Sequence, residues 1–447
     1  MASWTDYAIW WQVYPLGFTG APAEAPPEGT PIRHRLRRLE GWLDYTVELG
    51  CSGVQLGPIF AAETHGYDTV DHFRIDPRLG DDADFDHLVA AAGRRGLRIA
   101  LDGVFNHVGR AFPAFARALA DGPDSPAARW FRHRPQPDGT VGYDVFEGHR
   151  HLVALNHDEP AVLDHVVNVM NHWLDRGAAG WRLDAAYAVP PGFWRRALSE
   201  VRRRHPDAWF VGEVIHGDYA GYASRGGLDS ITQYELWKAI WSSLNDGNLF
   251  ELAWTLNRHN EILDSLVPLT FVGNHDVTRI ASRLTDRRHL GHALAVLFTV
   301  GGTPSVYYGD EQAMEGVKEE RAGGDDAIRP ESPDGPDDLA PTGRPVYRLH
   351  QRLIGLRRRH PWLVRARTTV EHLSSRAIAL RSHTGDGEDC VVVLLNIHDH
   401  PYRFPLDLGD LGVAETSEPA GSPGDPTLVP AYGWSVLIPL RPARPPR

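Results

Sequence analysis

The chain has 447 residues, of which 42% are hydrophobic and 23% charged, and its formal net charge at pH 7 is −12. This length predicts a large domain with one or two smaller ones, and the acidic balance argues against a nucleic-acid partner. We see no run of transmembrane length, no secretory signal and only two cysteines, so we expect a cytoplasmic protein without a membrane partner.

Apolar strand patterns alternate with amphipathic helix patterns up to about residue 362. Strands are predicted at 9–14, 53–56, 97–105, 180–186, 209–215, 228–234, 269–274 and 305–308. The clearest helices are predicted at 35–49, 84–95, 161–175 and 347–359. Eight strands with intervening helices predict the α/β fold class and, within it, a parallel (β/α)8 barrel, also called a TIM barrel.

Two regions depart from this alternation. A stretch rich in Pro, Gly and His follows the third strand and predicts a small inserted domain at 108–156. From about residue 365, short apolar or alternating runs separated by Pro and Gly predict a C-terminal antiparallel β-sandwich. The predicted domains are therefore a barrel at 1–107 and 157–362, the inserted domain, and a C-terminal domain at 363–447.

Four short segments carry polar groups at the ends of predicted strands. Their sequences are Asp-Gly-Val-Phe-Asn-His at 102–107, Gly-Trp-Arg-Leu-Asp at 180–184, Gly-Glu-Val at 212–214 and Phe-Val-Gly-Asn-His-Asp at 271–276. The C-terminal ends of barrel strands share one mouth, so these groups are expected to converge. They supply three carboxylates and two histidines, which are Asp184, Glu213, Asp276, His107 and His275.

This set suits one reaction. Retaining glycoside hydrolysis needs two carboxyl groups roughly 5–5.5 Å apart, which adjacent strands four and five could provide through Asp184 and Glu213. Taken singly, each residue also has a structural interpretation, such as a helix N-cap, a surface charge or a hydrogen-bonded loop histidine. Those interpretations do not explain the order of the residues at strand ends. Asp102 is not among the predicted catalytic residues. It lies inside the end of the barrel, so we favour a structural ion pair, with Arg182 as the partner, over direct catalysis.

In order and spacing, the four segments resemble the signature regions of the α-amylase family of glycoside hydrolases. The resemblance implies that Asp184 is the nucleophile, Glu213 the acid/base and Asp276 a stabiliser of the transition state. It also implies that His107 and His275 bind the sugar.

Further binding candidates surround these segments. Arg182 lies two residues before the nucleophile and points the same way on a strand, so its charge is expected to hold that carboxylate ionised. Tyr67 and Asp68 lie in a segment that resembles the family's loop after strand two, where the tyrosine stacks on the sugar. The alternative is a tyrosine that only packs. Asp325 and Arg329 resemble residues of the loop after strand eight, with a loop ion pair as the alternative.

Tyr187 and Ala188 mark a departure from the pattern of starch-degrading members, which carry Lys and His there to help bind the leaving-group sugar and a calcium ion. We therefore expect no metal or other cofactor, although Asn106 could still ligate calcium. Around Tyr67 and Phe146 the chain looks like cyclomaltodextrinases, neopullulanases and maltogenic amylases. It starts almost directly at strand one, so their N-terminal β-domain is not expected.

The combined interpretation is a retaining glycoside hydrolase that acts on α-glucosidic linkages of short, maltodextrin-like oligosaccharides through a covalent glucosyl-enzyme intermediate. A transglycosylase, or an isomerase resembling trehalose synthase, would use the same intermediate and is the alternative. A non-catalytic family member is a further alternative, which the intact set of carboxylates opposes.

Overall fold

The computed structural model of the protein describes residues 3–27, 29–135, 141–321, 323–417 and 425–440. Eight parallel strands form its centre. Their bounds are β1 Trp10–Val13, β2 Gly53–Leu56, β3 Arg98–Gly103, β4 Gly180–Leu183, β5 Trp209–Gly212, β6 Ser230–Ile231, β7 Leu269–Thr270 and β8 Thr303–Tyr307.

The eight strands form a nearly closed barrel. Neighbours follow the order β6-β5-β4-β3-β2-β1-β8-β7, and every pair is parallel. A single parallel bridge between Thr232 and Leu269 joins the two outer strands of this order. The predicted (β/α)8 barrel is therefore confirmed. Several strands are shorter than predicted, because the apolar residues that follow them leave the ladder and turn into the loops of the barrel mouth.

Helices surround the barrel. Their bounds are α1 Leu43–Leu49, α2 Asp82–Arg94, α3 Pro160–Asp175, α4 Pro191–Arg204, α5 Tyr219–Gly226, α6 Tyr234–Asp246, α7 Phe250–Leu263, α8 Leu290–Thr299 and α9 Arg344–Arg359. The helix predicted at 35–49 is divided, because a 3-10 helix at Arg35–Trp42 precedes α1. Further helices lie at Pro15–Phe18, Pro113–Asp121 and Ile280–Arg283.

Helix α3 shows how the sequence pattern becomes packing. Val162, Val166 and Trp173 recur at helical spacing and are fully buried. The ring of Trp173 lies 5.0 Å from Phe60 and 5.0 Å from Phe85, between the barrel and the neighbouring helix. Pro160 occupies the first helical position, where its missing N–H costs nothing.

The segment inserted after β3 packs its apolar residues, such as Phe115 and Phe131, into the main core of the barrel. Short antiparallel pairs join His107–Val108 to Val153–Ala154 and His133–Pro135 to Val141–Tyr143. Phe115 lies 5.0 Å from Phe131. The first of these pairs brings both ends of the insertion back to the barrel mouth. The exact boundaries of the three predicted domains stay a prediction.

The C-terminal region is an antiparallel sheet. Its strands are β9 Arg367–Leu373, β10 Ala377–His383, β11 Cys390–Asn396, β12 Leu411–Thr416 and β13 Trp434–Pro439, in the order β9-β10-β11-β13-β12. Alternate residues face opposite sides: those on one side, such as Leu380 and Val393, join the main core of the barrel. Those on the other side, such as Ala379 and Val392, pack with Phe404 in a separate cluster. The predicted C-terminal antiparallel domain is confirmed.

Among the described residues, no helix has the length and apolar character needed to cross a bilayer.

We predict that Gly291→Ala lowers the free energy of unfolding by about 1–3 kcal/mol. A Cβ at Gly291 in α8 would lie 2.2 Å from Nε1 of Trp434, a buried residue of the C-terminal sheet. The control is Gly355→Ala in the middle of α9, where the new Cβ would meet only Nη1 of Arg359 at 3.5 Å. This control should gain about 0.5–1 kcal/mol from helix propensity. Urea unfolding that gives the two variants equal stability would contradict the close packing at Gly291.

Candidate active site

Three carboxylates predicted to be catalytic lie together at the C-terminal end of the barrel. Asp184 directly follows β4, Glu213 directly follows β5, and Asp276 lies in the loop after β7. The side chains of Asp184 and Glu213 are 10% and 9% exposed, while that of Asp276 is 29% exposed. Their positions agree with the general rule that barrel enzymes build their sites from the loops at this end.

The Arg182 guanidinium connects these carboxylates. Its Nη1 lies 2.8 Å from both oxygens of Asp102 and 3.1 Å from Oδ1 of Asp184. Its Nη2 lies 2.8 Å from Oε1 of Glu213 and 3.8 Å from Oδ2 of Asp276. The predicted ion pair between Asp102 and Arg182 is therefore present. Arg182 contacts both members of the proposed catalytic pair, so it brings their carboxylates to the same place.

Backbone geometry after β4 holds Glu213 in place. Ala185 has a left-handed backbone with φ of 44°, and its N–H donates to Oε2 of Glu213 at 2.8 Å. The N–H of Tyr187 donates to the carbonyl of Glu213 at 3.2 Å. Both donors come from the loop that carries Asp184, so the two proposed catalytic carboxylates share one local framework.

Tyr234 is a site residue that the sequence did not indicate. Its hydroxyl donates to Oε1 of Glu213 at 3.4 Å and accepts from Nδ2 of Asn274 at 2.9 Å. Tyr234 begins α6, just beyond the end of β6. Because the ends of all eight strands face one mouth, its position after a strand was a usable signal.

Asp276 is held by groups from two loops. Its Oδ1 accepts from Nη2 of Arg329 at 3.0 Å, and its Oδ2 lies 3.0 Å from Nε2 of His275. Arg329 also pairs with Asp325 at 2.9 Å and donates from Nε to the carbonyl of His275 at 2.9 Å. The loop ion pair considered from the sequence is therefore present. Arg329 reaches the site through Asp276, and Asp325 is one contact further away.

Tyr67 is tied to the site by its hydroxyl. The hydroxyl donates to Oδ2 of Asp102 at 3.2 Å and is hydrogen-bonded to Nε2 of His275. The rings of Tyr67 and His275 are nearly parallel, with 4° between their planes. Gln12, the one polar residue of β1, contacts Nδ1 of His275 at 3.2 Å and was also missed from the sequence.

His107 and Asp68 are both buried. The ring of His107 stacks on Phe146 with centroids 4.7 Å apart, and burial lowers the pKa of His107 to about 3. It is therefore neutral at neutral pH. Asp68 accepts a hydrogen bond from the hydroxyl of Thr64, and its Oδ1 is buried without a partner in the described structure. The binding roles of His107 and Asp68 stay predictions.

Asn106 was the residue considered for calcium. Its amide nitrogen lies 3.1 Å from Nδ1 of His107. Within the described ranges, the one group of three His, Cys, Asp or Glu side chains close enough to share a metal is His34, Asp81 and Asp84, near the start of α2. In that group Asp84 is already paired with Arg37, and Asn106 lies outside it.

Asp184 is in an environment that opposes its charge. Burial is the largest effect and raises the pKa of Asp184 well above its usual value. Arg182 lowers this pKa, but the neighbouring carboxylates, Glu213 first, raise it again. Arg182 therefore favours the ionised form of Asp184, as expected, but burial outweighs its effect on the pKa, and the role of Arg182 stays a prediction.

Asp276 shows the opposite behaviour. Burial alone would raise its pKa, but His275, Arg329 and Arg182 outweigh burial and lower the pKa below its usual value. Asp276 has Arg329 and His275 as direct partners, whereas Asp184 shares its one cationic partner with other carboxylates. Asp276 therefore stays ionised across the neutral range.

Comparison with known proteins agrees with this geometry. Residues 36–339 match the family model described as "Alpha amylase, catalytic domain". The chain belongs to the α-amylase family of glycoside hydrolases. Its relatives include a cyclomaltodextrinase from Bacillus sp, 31% identical over 427 residues, which cover 88% of this chain and 73% of the relative. An intracellular maltogenic amylase from Bacillus subtilis is 30% identical, over 70% of this chain and 56% of its own.

Solved structures show that the similarity extends over nearly the whole chain. The ligand-free cyclic α-maltosyl-(1→6)-maltose hydrolase from Arthrobacter globiformis has a TM-score of 0.80 and 26% identity, covering 98% of this chain and 100% of that chain. That hydrolase has also been solved in complex with its cyclic substrate and with maltose. The predicted family and its resemblance to cyclomaltodextrinases and maltogenic amylases are confirmed.

The opposite pKa shifts predict opposite effects on stability in this α-amylase family member. The folded-state pKa of Asp184 is raised, so its contribution to stability is complete below the unfolded pKa of about 3.9 and is lost as the pH rises through the folded pKa. Asp184→Asn should therefore stabilise the protein at pH 7, by about 1–3 kcal/mol. The gain should disappear near pH 3.5.

Asp276→Asn is the matched comparison. The folded-state pKa of Asp276 is lowered, so its contribution is present above the unfolded pKa and is lost as the pH falls through the folded pKa. This variant should be destabilised at pH 7. Denaturant titrations at both pH values measure both variants, and a less stable Asp184→Asn at pH 7 would show that Arg182 compensates the burial of Asp184.

Proposed function

We propose that this enzyme hydrolyses α-glucosidic linkages of short, maltodextrin-like oligosaccharides with retention of the anomeric configuration. The observation that carries the proposal is the meeting of Asp184 and Glu213 on one buried guanidinium at the barrel mouth. The similarity to a cyclomaltodextrinase and to a cyclic maltosyl-maltose hydrolase supports the choice of substrate class.

In the first step, Glu213 gives its proton to the glycosidic oxygen while a carboxylate oxygen of Asp184 bonds to the anomeric carbon. The bond between that carbon and the leaving oxygen breaks, and the leaving sugar departs. In the second step, a water molecule gives a proton to Glu213 while its oxygen bonds to the same carbon and releases Asp184. Asp276 accepts hydrogen bonds from sugar hydroxyls that strengthen as the oxocarbenium ion develops.

The remaining side chains receive supporting roles. We assign Tyr67 as the platform for the sugar in the cleavage position, with His107, His275 and Asp68 beside it. Arg182 aligns the catalytic pair. Arg329 and Asp325 act through Asp276 and are positioning residues, as their ion pairs support. Side chains of the chain itself carry every proton and bond in this scheme, so the proposal includes no cofactor.

The cytoplasm is the proposed location, and the intracellular maltogenic amylase of Bacillus subtilis among the relatives supports it.

Replacing any of the three carboxylates should remove nearly all turnover. We predict that Asp184→Asn, Glu213→Gln and Asp276→Asn each reduce kcat/KM for maltotriose by at least about 10²-fold, since general acid/base help alone is worth roughly 10²–10⁴-fold. The control is Asp124→Asn, which changes an exposed carboxylate of the inserted segment. Circular dichroism checks the fold. More than about a tenth of wild-type activity in one variant would refute the role of that residue.

Short oligosaccharides should be better substrates than starch. Tyr187 and Ala188 replace the Lys-His pair on the leaving-group side, and the inserted segment is too small to wall an extended cleft. We predict that kcat/KM per molecule for maltotriose, maltotetraose or a cyclodextrin exceeds the value for soluble starch, counted per reducing end, by about tenfold, the effect of about 1.4 kcal/mol. A higher value for starch, with long dextrins as early products, would contradict the substrate assignment.

A further inference from the structure

Among the described residues, the inserted segment and the loop after β4 share one polar contact. The hydroxyl of Tyr187 donates to Oε1 of Glu147 at 2.6 Å. Glu147 has φ of 46°, in the left-handed region that a residue with a Cβ seldom occupies. Such a conformation persists only where its surroundings determine it. Its neighbour Phe146 supplies that support, because its ring stacks on His107 at 4.7 Å.

Tyr187 is also connected to the chemistry. Its backbone N–H donates to the carbonyl of Glu213 at 3.2 Å, as described above. Its side chain lines a cavity of about 360 Å³ whose wall includes Tyr222, His157, Asp158 and Pro190. Aromatic and proline faces combined with a few polar groups are typical of a small-molecule site. In the proposed reaction Glu213 serves both the leaving group and the acceptor, and Tyr187 links the backbone of Glu213 to this cavity.

We propose that Glu147 is a positioning residue that fixes Tyr187 and thereby sets how often the glucosyl-enzyme reacts with a sugar instead of water. This inference rests on the proposed function. In transfer, a hydroxyl of the acceptor sugar gives its proton to Glu213 while its oxygen bonds to the anomeric carbon. The bond from that carbon to Asp184 breaks at the same time. The sugar replaces water, and the rest of the step is unchanged.

The two acceptors depend on Tyr187 differently. A sugar must be held against a wall before it can react, so an ordered Tyr187 lowers the entropy that the sugar has to lose. Water needs no such wall. Without Glu147, the hydroxyl of Tyr187 loses its hydrogen-bond acceptor and the half-buried ring is less fixed, so the transfer reaction should suffer more than hydrolysis. Burial and then the hydrogen bond to Glu147 raise the pKa of Tyr187, so its hydroxyl remains a donor at neutral pH.

The test compares Glu147→Ala, Glu147→Gln, Tyr187→Phe and the double variant Glu147→Ala/Tyr187→Phe at high maltotriose concentration. The measured quantity is the ratio of transfer products to hydrolysis products at early times. Both Glu147→Ala and Tyr187→Phe should lower this ratio by about three- to tenfold, the range for a lost net hydrogen bond. The double variant should fall no further, because both changes remove the same contact. Glu147→Gln keeps an acceptor oxygen and should retain most of the ratio.

The loss should appear as a higher KM for the acceptor sugar, with a smaller change in kcat. Asp124→Ala is the control for removing an exposed carboxylate from the inserted segment. Additive effects of the two single changes, or an unchanged ratio in both, would overturn the proposal. A wild-type enzyme that hydrolyses maltotriose but never transfers would overturn it too. Failure of the proposed function is distinct, because then the wild type would not cleave maltotriose at all.

Discussion

One guanidinium determines the arrangement of the whole site. Arg182 reaches Asp102, Asp184 and Glu213 within 3.1 Å from a position almost without solvent. In the proposed reaction, Asp184 loses its charge when the glucosyl ester forms, and Glu213 gains one by giving up its proton. Both carboxylates contact the same cation, Arg182, so the total negative charge beside it is constant through the step. A fixed cation beside carboxylates that exchange one charge needs little reorganisation, which is the condition for electrostatic catalysis.

This arrangement has a cost in stability. Burial raises the pKa of Asp184, and Arg182, which several carboxylates share, does not outweigh that effect. Asp276 does not lower the stability in this way, because Arg329 and His275 form ion pairs with it. The barrel can bear the uncompensated charge because the strands around it are held by a large apolar core that extends to the C-terminal sheet. In the proposed reaction, a nucleophile that burial destabilises in the free enzyme gains more when it forms the covalent bond.

The sequence predicted those parts of the fold and site that follow from strand ends. Asp184 and Glu213 directly follow apolar strands, and parallel strands of a barrel bring such residues to one mouth. The alternation of residues along β4 likewise predicted that Arg182 points toward Asp102 and Asp184. The net pKa of Asp184 could not be predicted this way, because it depends first on how deeply the fold buries the carboxyl group and then on the charges around it. The contact between Glu147 and Tyr187 joins two loops whose paths no periodicity describes, and the left-handed backbone of Ala185 has no glycine to signal it.

The loop after β4 therefore contacts both the proposed acid/base residue, Glu213, and the inserted segment that we propose controls the choice of acceptor. Ala185 donates to the side chain of Glu213, while the next donor along the loop, the N–H of Tyr187, holds the backbone of Glu213. The same Tyr187 contacts the inserted segment, whose ends are closed at the barrel mouth by the pairing of His107 with Ala154. Changes in the inserted segment can reach the acceptor side through Tyr187 without moving the carboxylates, because those are fixed from the barrel by Arg182. The enzyme can thus keep one catalytic step while its inserted segment determines which acceptor completes the reaction.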